Sequence, residues 1–133
     1  MENRDQQLSN LRPLIPTLIE QGVTSSSEQF QNGTLRPILK FQNNLLLQIF
    51  RNYTVQRKNT FQKLSPPEKL RYIESSIQKD LKFRNLLIGI VVGQFTQEEL
   101  KSYFENEGEL RKRLINLVIE RLKSQVVELK LDN

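Results

Sequence analysis

A cluster of acidic residues in the C-terminal half contains the side chains that could support catalysis. Five glutamates lie close together in this part of the chain, namely Glu98, Glu99, Glu105, Glu107 and Glu109. Paired carboxylates act as acid and base in glycoside hydrolysis, and carboxylate oxygens also suit hard metal ions. The simpler interpretation is that these residues lie at helix starts and in a turn, where the helix dipole and solvent favour acids. A carboxylate-only enzyme is therefore the third choice of function.

Two residue types that most catalytic and metal sites need are missing. The 133 residues include no His and no Cys. The chain therefore lacks the usual general base, the usual activated nucleophile and the commonest transition-metal ligands. The sequence also contains no phosphate-binding glycine loop and no dinucleotide fingerprint. We expect no metal, no cofactor and no enzymatic activity.

Anion binding is the second kind of chemistry that the sequence indicates. No acid lies between Glu28 and Glu68, whereas Arg and Lys recur there. If residues 28–58 form one helix, four cations fall within about 60° of one another, namely Arg36, Lys40, Arg51 and Lys58. This positive edge is a candidate binding surface for an acidic protein or, less favourably, for nucleic acid, although a merely solvated face also explains it.

Length and composition are those of one folded domain. A chain of 133 residues can bury one hydrophobic core and is too short for two. Its first seven residues are polar, unlike a secretory signal, and its longest apolar run, residues 86–93, is too short to cross a bilayer. We therefore expect a cytoplasmic protein without a membrane segment, and the formal charge of +5 favours an acidic partner.

The first 27 residues are predicted to form an arm. Pro13, Pro16 and Gly22 interrupt a run of leucines and isoleucines that is otherwise spaced like a helix. Because proline removes a backbone donor and restricts the residue before it, we expect an apolar arm with at most one short helical turn. The predicted organisation is an N-terminal arm at 1–27 and a single helical bundle at 28–133.

Apolar spacing and capping signals predict about five helices. Steps of three and four residues mark a first helix over about 28–58, with Pro37 in its first turn or at a kink. Ser65 and Thr96 are each followed three residues later by a glutamate, which is the spacing of a capping box at a helix start. Short connections between the helices predict an all-α, up-and-down bundle.

A helix that Asp80 caps and Gly93 ends is apolar nearly all round, which predicts a central place in the core. Gly89 and Gly93 have GxxxG spacing, but the segment is too short for a membrane dimer. Close packing at Gly89 and a helix end at Gly93 are the expected roles of these glycines.

The last predicted helix, over about 109–129, has an unusually wide apolar face. Its apolar residues cover about 200° of the helical wheel, whereas a surface helix needs roughly 100° to meet its own core. Either this helix lies at the centre of the bundle or part of its face is left for a second copy. We predict a homodimer with three residues at the interface, namely Ile115, Ile119 and Val126.

Two polar residues interrupt predicted apolar faces. Gln42 falls within the apolar arc of the first long helix, and Arg121 falls within that of the last one. A buried polar group needs a partner, so each is expected to be hydrogen bonded or to line a cavity or an interface.

Three parts of the chain resemble an uncharacterised family of short helical proteins from Bacteroidetes-type bacteria. They are Arg12-Pro13 with Pro16-Thr17, Phe30-Gln31-Asn32 with residues 34–40, and residues 93–96. Some members of that family are labelled glyoxalase, an activity that implies metal-binding His and Glu residues on a sheet-rich fold. This sequence has no His and no predicted strand, so the activity is not carried over.

The sequence as a whole predicts a non-enzymatic helical interaction module that self-associates and offers a basic edge to an acidic partner. A nucleic-acid-binding accessory protein is the alternative. Retention on nucleic acid that falls as salt rises, measured against a charge-matched control, separates the two.

Overall fold

The computed structural model describes residues 3–13 and 25–126, and all regular structure within these ranges is helical. The all-α fold class is thereby confirmed. In chain order the helices are α1 Arg4–Leu11, α2 Ser26–Phe30, α3 Arg36–Phe41, α4 Asn43–Gln56, α5 Pro66–Lys79, α6 Leu81–Val92, α7 Gln97–Glu105 and α8 Glu107–Ser124. A π-helical turn, Gln31–Leu35, joins α2 to α3, and a 3₁₀ turn, Thr60–Lys63, precedes α5.

The predicted count of about five helices was too low, because the first long helix is interrupted. Gln42 has φ −90° and ψ 7°, which separates α3 from α4. Residues 28–58 therefore do not form one straight helix, and α4 ends at Gln56. The up-and-down connectivity stays a prediction.

The π-helical turn lies immediately before Pro37. Proline lacks the N–H that would bond the carbonyl four residues earlier, and its ring crowds that carbonyl. In the π turn the N–H of Arg36 donates to the carbonyl of Gln31, five residues back. The wider turn lets the chain continue as a helix with Pro37 buried near the start of α3.

The N-terminal arm contains a full helix, which corrects the expectation of one short turn at most. Asn3 caps α1 through a capping box with Gln6, so a polar segment before Pro13 becomes helical. This helix is anchored through Arg4, which donates to the carbonyls of Gly93 and Phe95 at 2.9 Å each. The more apolar part of the predicted arm, residues 14–24, lies outside the described residues.

The predicted helix starts at Ser65 and Thr96 are confirmed. Each side-chain hydroxyl accepts from a backbone N–H three residues on, and the glutamate at that position accepts from the N–H of the cap. Asp80 caps α6 by accepting from the N–H of Phe83, and Gly93 ends that helix in an ordinary right-handed conformation. Local capping chemistry therefore determines where α5, α6 and α7 begin.

Helix α6 is not central to the core on all sides, which corrects the prediction. Leu87 and Val91 are buried, but Leu86 is 51% exposed. A methyl group added at Gly89 would meet no atom within 4 Å. The expected close packing at Gly89 is therefore wrong, and one apolar side of α6 faces outward.

Helix α8 begins earlier than predicted and supplies the largest buried face. It starts at Glu107, two residues before the predicted start, and it includes Gly108. Its buried residues are Leu110, Leu114, Leu117, Val118, Ile119 and Leu122.

An aromatic cluster completes the core beside the ends of α4, α5 and α6. Its rings pack edge to face, stacked or tilted with centroids 3.8 to 6.3 Å apart, and they belong to Phe50, Tyr53, Phe61, Tyr72 and Phe83. Aromatic pairs of this kind stabilise a fold beyond the contribution of their buried area, so we expect this cluster to be rigid.

Candidate anion-binding groove

The four cations of the predicted basic edge do not share one helix face. Arg36 and Lys40 lie on α3, before the break at Gln42, and Arg51 lies on α4. Lys58 lies beyond α4 in a turn, with φ 63°. The wheel that grouped these residues assumed one straight helix, which the structure does not show, so the continuous basic edge stays a prediction.

Arg36 and Arg121 are brought into the same electrostatic environment. Arg36 donates from Nε to the Asn32 side chain at 3.0 Å, and Arg121 donates to Asn43 Oδ1 at 3.2 Å. Burial, and then the positive charge of Arg36, lower the pKa of Arg121. Arg121 therefore has the hydrogen-bond partner that its sequence position required, while Gln42 is half-buried at the helix break.

The three residues predicted for a dimer interface differ in burial. Ile119 is 5% exposed and belongs to the core, whereas Ile115 and Val126 are partly buried and pack against it. The wide apolar face of α8 is therefore covered in large part by its own chain. The homodimer stays a prediction, but Ile119 offers no surface to it.

A groove of about 970 Å³ opens where the end of α4 meets α5 and the start of α6. Apolar, hydroxyl and charged side chains together form its wall. The lining residues are Tyr53, Arg57, Leu64, Glu68, Arg71, Tyr72, Ser75, Ser76, Lys79, Asp80, Leu81 and Lys82. Pockets of this size and mixed lining are ordinary binding-site candidates.

Asp80 organises the floor of the groove. One carboxylate oxygen accepts from the Phe83 backbone N–H at 3.1 Å, and the other accepts from the Tyr53 hydroxyl and from Arg57, each at 3.0 Å. The Phe83 N–H, then the Tyr53 hydroxyl and the Arg57 guanidinium hold the pKa of Asp80 below its ordinary value. This carboxylate is therefore charged at neutral pH and fully engaged.

The Tyr53 ring is covered on two sides. The guanidinium carbon of Arg57 lies 3.5 Å from its centroid, and the Phe83 ring is stacked with its centroid 3.8 Å away. Burial, together with the hydrogen bond to Asp80, raises the pKa of Tyr53 to about 12. A ring so enclosed fixes the groove floor and has no free face on which a nucleobase could stack.

The rim of the groove carries surplus positive charge. Arg71, Lys79 and Lys82 are exposed, and none of their side chains forms a salt bridge or hydrogen bond with another residue that the structure describes. The charge of Arg71 contributes to the lowered pKa of Glu68. Of the two acids in the lining, Asp80 is engaged by Tyr53 and Arg57. Glu68 accepts from the backbone N–H of Ser65 as part of the α5 cap. The groove lining therefore holds four cations against two acids, and within the described part of the chain Lys79 and Lys82 have no partner acid.

Sequence reasoning missed this groove. The caps Ser65 and Asp80 were identified, and they place Arg71 and Lys79 on α5 and Lys82 in the first turn of α6. What the sequence did not show is that the end of α4 packs against this corner and adds Tyr53 and Arg57. The only local signal was the group of cations on either side of Asp80.

Two acids of the cluster that could have supported catalysis have structural roles. Glu99 accepts from the backbone N–H of Thr96 and pairs with Arg12, and Glu109 pairs with Arg113 at 2.9 Å. Among the residues described, no group of three acids could hold a metal ion. Within the same ranges, none of the helices combines the length and the apolar character that crossing a bilayer requires.

Comparison with known proteins adds no relative. No protein-family model matches the chain. No curated protein matches it, and no solved structure does. The resemblance to a bacterial family of short helical proteins therefore stays a prediction.

Proposed function

We propose that this protein is a non-catalytic helical binding module whose groove between α4, α5 and α6 takes up an acidic, amphipathic segment of a partner protein. The observation that carries the proposal is a rim of three exposed cations, Arg71, Lys79 and Lys82. Of these only Arg71 interacts electrostatically with an acid among the described residues, namely Glu68. We favour this groove over the predicted basic edge as the binding site. The cytoplasmic location expected from the sequence is part of the proposal.

The groove offers apolar contacts as well as charge. Leu81 is 59% exposed at the wall, and Leu64 and Tyr72 are partly buried beside it. Amphipathic segments bind such grooves by placing their apolar side chains inside, and charges at the rim then determine orientation and association rate. An acidic segment with one or two large apolar residues satisfies both features.

A nucleic-acid backbone would also be attracted to the rim, but the floor gives it little to bind. Single-stranded nucleic acids gain much of their affinity by stacking bases on exposed aromatic rings. Tyr53 is already enclosed between Arg57 and Phe83, and Tyr72 is packed edge to face against Phe50 and Phe61. The acidic protein segment is therefore the favoured ligand.

The test is fluorescence anisotropy with a labelled amphipathic peptide built from Glu, Leu and Phe. The groove variant Arg71→Gln/Lys79→Gln/Lys82→Gln should bind it about three- to tenfold more weakly at low salt, because three charge contacts of a few tenths of a kcal/mol each are removed. Added salt should weaken binding to the natural chain. A peptide in which Gln replaces Glu should bind as weakly as the groove variant does.

The matched control is Lys40→Gln/Lys58→Gln/Lys112→Gln, which makes the same change in net charge with exposed residues outside the groove. It should retain binding. Equal loss in both variants would show that only net charge attracts the peptide, and loss in the control alone would assign binding to the original edge. Tighter, groove-dependent binding of a labelled single-stranded oligonucleotide would favour the nucleic-acid alternative.

A further inference from the structure

An exposed aromatic side chain with acidic neighbours lies on a different part of the molecule from the groove. Phe104 on α7 is 59% exposed, although a phenylalanine that is left in water forgoes the gain from burial. Gln97, Leu100, Lys101 and Glu105 surround it at a shallow hollow of about 770 Å³. A large apolar side chain in such a setting is typical of a contact surface.

Three acids near Phe104 in the sequence have no ion-pair partner among the described residues. Glu98, Glu105 and Glu107 are exposed, and none forms an ion pair with a residue that the structure describes. Of these acids only Glu105 lines the hollow, together with Lys101, while Glu98 lies near the start of α7 and Glu107 begins α8. The three acids still outnumber the one cation. We call Phe104 with Glu98, Glu105 and Glu107 the α7 knob.

The α7 knob is complementary to the groove in apolar character and in charge. It offers one large apolar side chain to the apolar wall at Leu81 and Leu64, and it offers carboxylates to the cationic rim. Because Phe104 is exposed, its own chain does not fill the groove with it. Complementary surfaces on different faces of one molecule form heterologous contacts, in which one copy's knob meets the next copy's groove.

We infer that the acidic segment for this groove is carried by a second copy of the chain, so that the protein self-associates by placing the α7 knob of one copy in the groove of another. This inference rests on the proposed binding function of the groove. It also relocates the predicted self-association from α8, where Ile119 is buried, to surfaces that are exposed.

A head-to-tail contact can be tested by mixing two defective variants. The groove variant Arg71→Gln/Lys79→Gln/Lys82→Gln keeps its knob, and the knob variant Glu98→Gln/Phe104→Ala/Glu105→Gln keeps its groove. In sedimentation velocity at high micromolar concentration the natural chain should associate, and each variant alone should be a monomer. Their equimolar mixture should form a one-to-one dimer and nothing larger, because only one intact knob and one intact groove remain.

Circular dichroism checks that both variants keep the helical content of the natural chain, and Phe41→Ala is the control for losing an exposed aromatic side chain. Phe41 is 42% exposed on α3, outside both surfaces, so this variant should associate normally. Should either variant misfold, the single substitutions Phe104→Ser and Lys82→Glu provide the same mixing test.

Three results would overturn the inference: a monomeric natural chain at these concentrations, variants that still associate alone, or a mixture that stays monomeric. If the groove nevertheless binds the Glu-containing peptide, the proposed function stands and only the identity of the partner is wrong. If the natural chain binds no peptide and does not associate, both proposals fail.

Discussion

Arg12 and Glu99, which are separated by 87 positions in the chain, form a two-pronged ion pair that ties the N-terminal arm to the start of α7. The two guanidinium nitrogens lie 2.5 and 2.6 Å from the two carboxylate oxygens, and Thr34 donates to the same carboxylate at 3.2 Å. The Arg12 side chain is 12% exposed and that of Glu99 is 20% exposed. Both charges are largely shielded from water, so each is stabilised in place of water by the opposite charge of its partner.

We predict that Glu99→Gln lowers the free energy of unfolding by about 2 kcal/mol, because it leaves a largely buried guanidinium without its counter-charge. Chemical denaturation at neutral pH measures this change. Glu109→Gln is the matched control, since the Glu109–Arg113 pair is more exposed and should be worth less than about 0.5 kcal/mol. Equal effects of the two substitutions would contradict the special role of the Arg12 pair.

The same pair should make stability depend on acid pH. Burial acts to raise the pKa of Glu99, but hydrogen bonds from Arg12, Thr96 and Thr34 outweigh it, and the pKa falls below the ordinary value of 4.5. A carboxylate with a lowered pKa stabilises the fold above its unfolded value, and this contribution is lost as the pH falls through the folded value. Below about pH 4.5 the natural chain should therefore lose stability more steeply than Glu99→Gln does, as denaturation at a series of pH values would show.

At alkaline pH we predict that the protein loses stability as Tyr53 ionises. Its pKa is raised from 10.0 to about 12, so its contribution to stability is present below pH 10 and is lost between pH 10 and 12. Tyr53→Phe should lower the free energy of unfolding by about 1 kcal/mol at neutral pH, because the hydrogen bond to Asp80 is lost. Tyr103→Phe should not lower the free energy of unfolding, since the Tyr103 hydroxyl is buried and has no hydrogen-bond partner among the described residues. Denaturation of both variants, with tyrosinate absorbance for the titration, tests this contrast.

For the two isoleucines once assigned to a dimer interface, the expected outcomes differ. Ile119→Glu should lower the free energy of unfolding by about 4 kcal/mol or more, because it buries a charge in the core. Ile115→Glu should cost less, since Ile115 is only partly buried, and Ile119→Val should cost about 1 kcal/mol. A thermally stable, folded Ile119→Glu protein in circular dichroism would show that Ile119 is not a core residue.

Gly89→Ala should raise the free energy of unfolding by about 0.5 to 1 kcal/mol. Gly89 lies inside α6 and an added methyl group would meet no atom within 4 Å, so the substitution reduces the freedom of the unfolded chain without a clash. Gly93→Ala is the contrast, since its methyl group would approach the Gly89 carbonyl oxygen to 3.0 Å. A loss of stability in Gly89→Ala would indicate that the outer side of α6 is covered by another surface.

The sequence by itself determined the fold class and the starts of three helices. Apolar spacing repeats every three to four residues, and the capping side chains Ser65, Asp80 and Thr96 act on backbone groups only three residues away. Such signals are local, so they can be interpreted from the sequence without knowledge of the rest of the fold.

Tertiary structure decided the site, and the interruptions of the first long helix were not evident from its apolar spacing. A helical wheel assumes one straight helix, and the π turn before Pro37 and the break at Gln42 invalidated that assumption for the basic edge. Whether Leu86 or Ile119 is buried depends on which side of each helix meets a neighbour, because a wheel gives the width of an apolar face but not what covers it. The groove combines residues from the end of α4 with others from α5 and α6, so its cations and its floor came together only when these helix ends packed around the aromatic cluster.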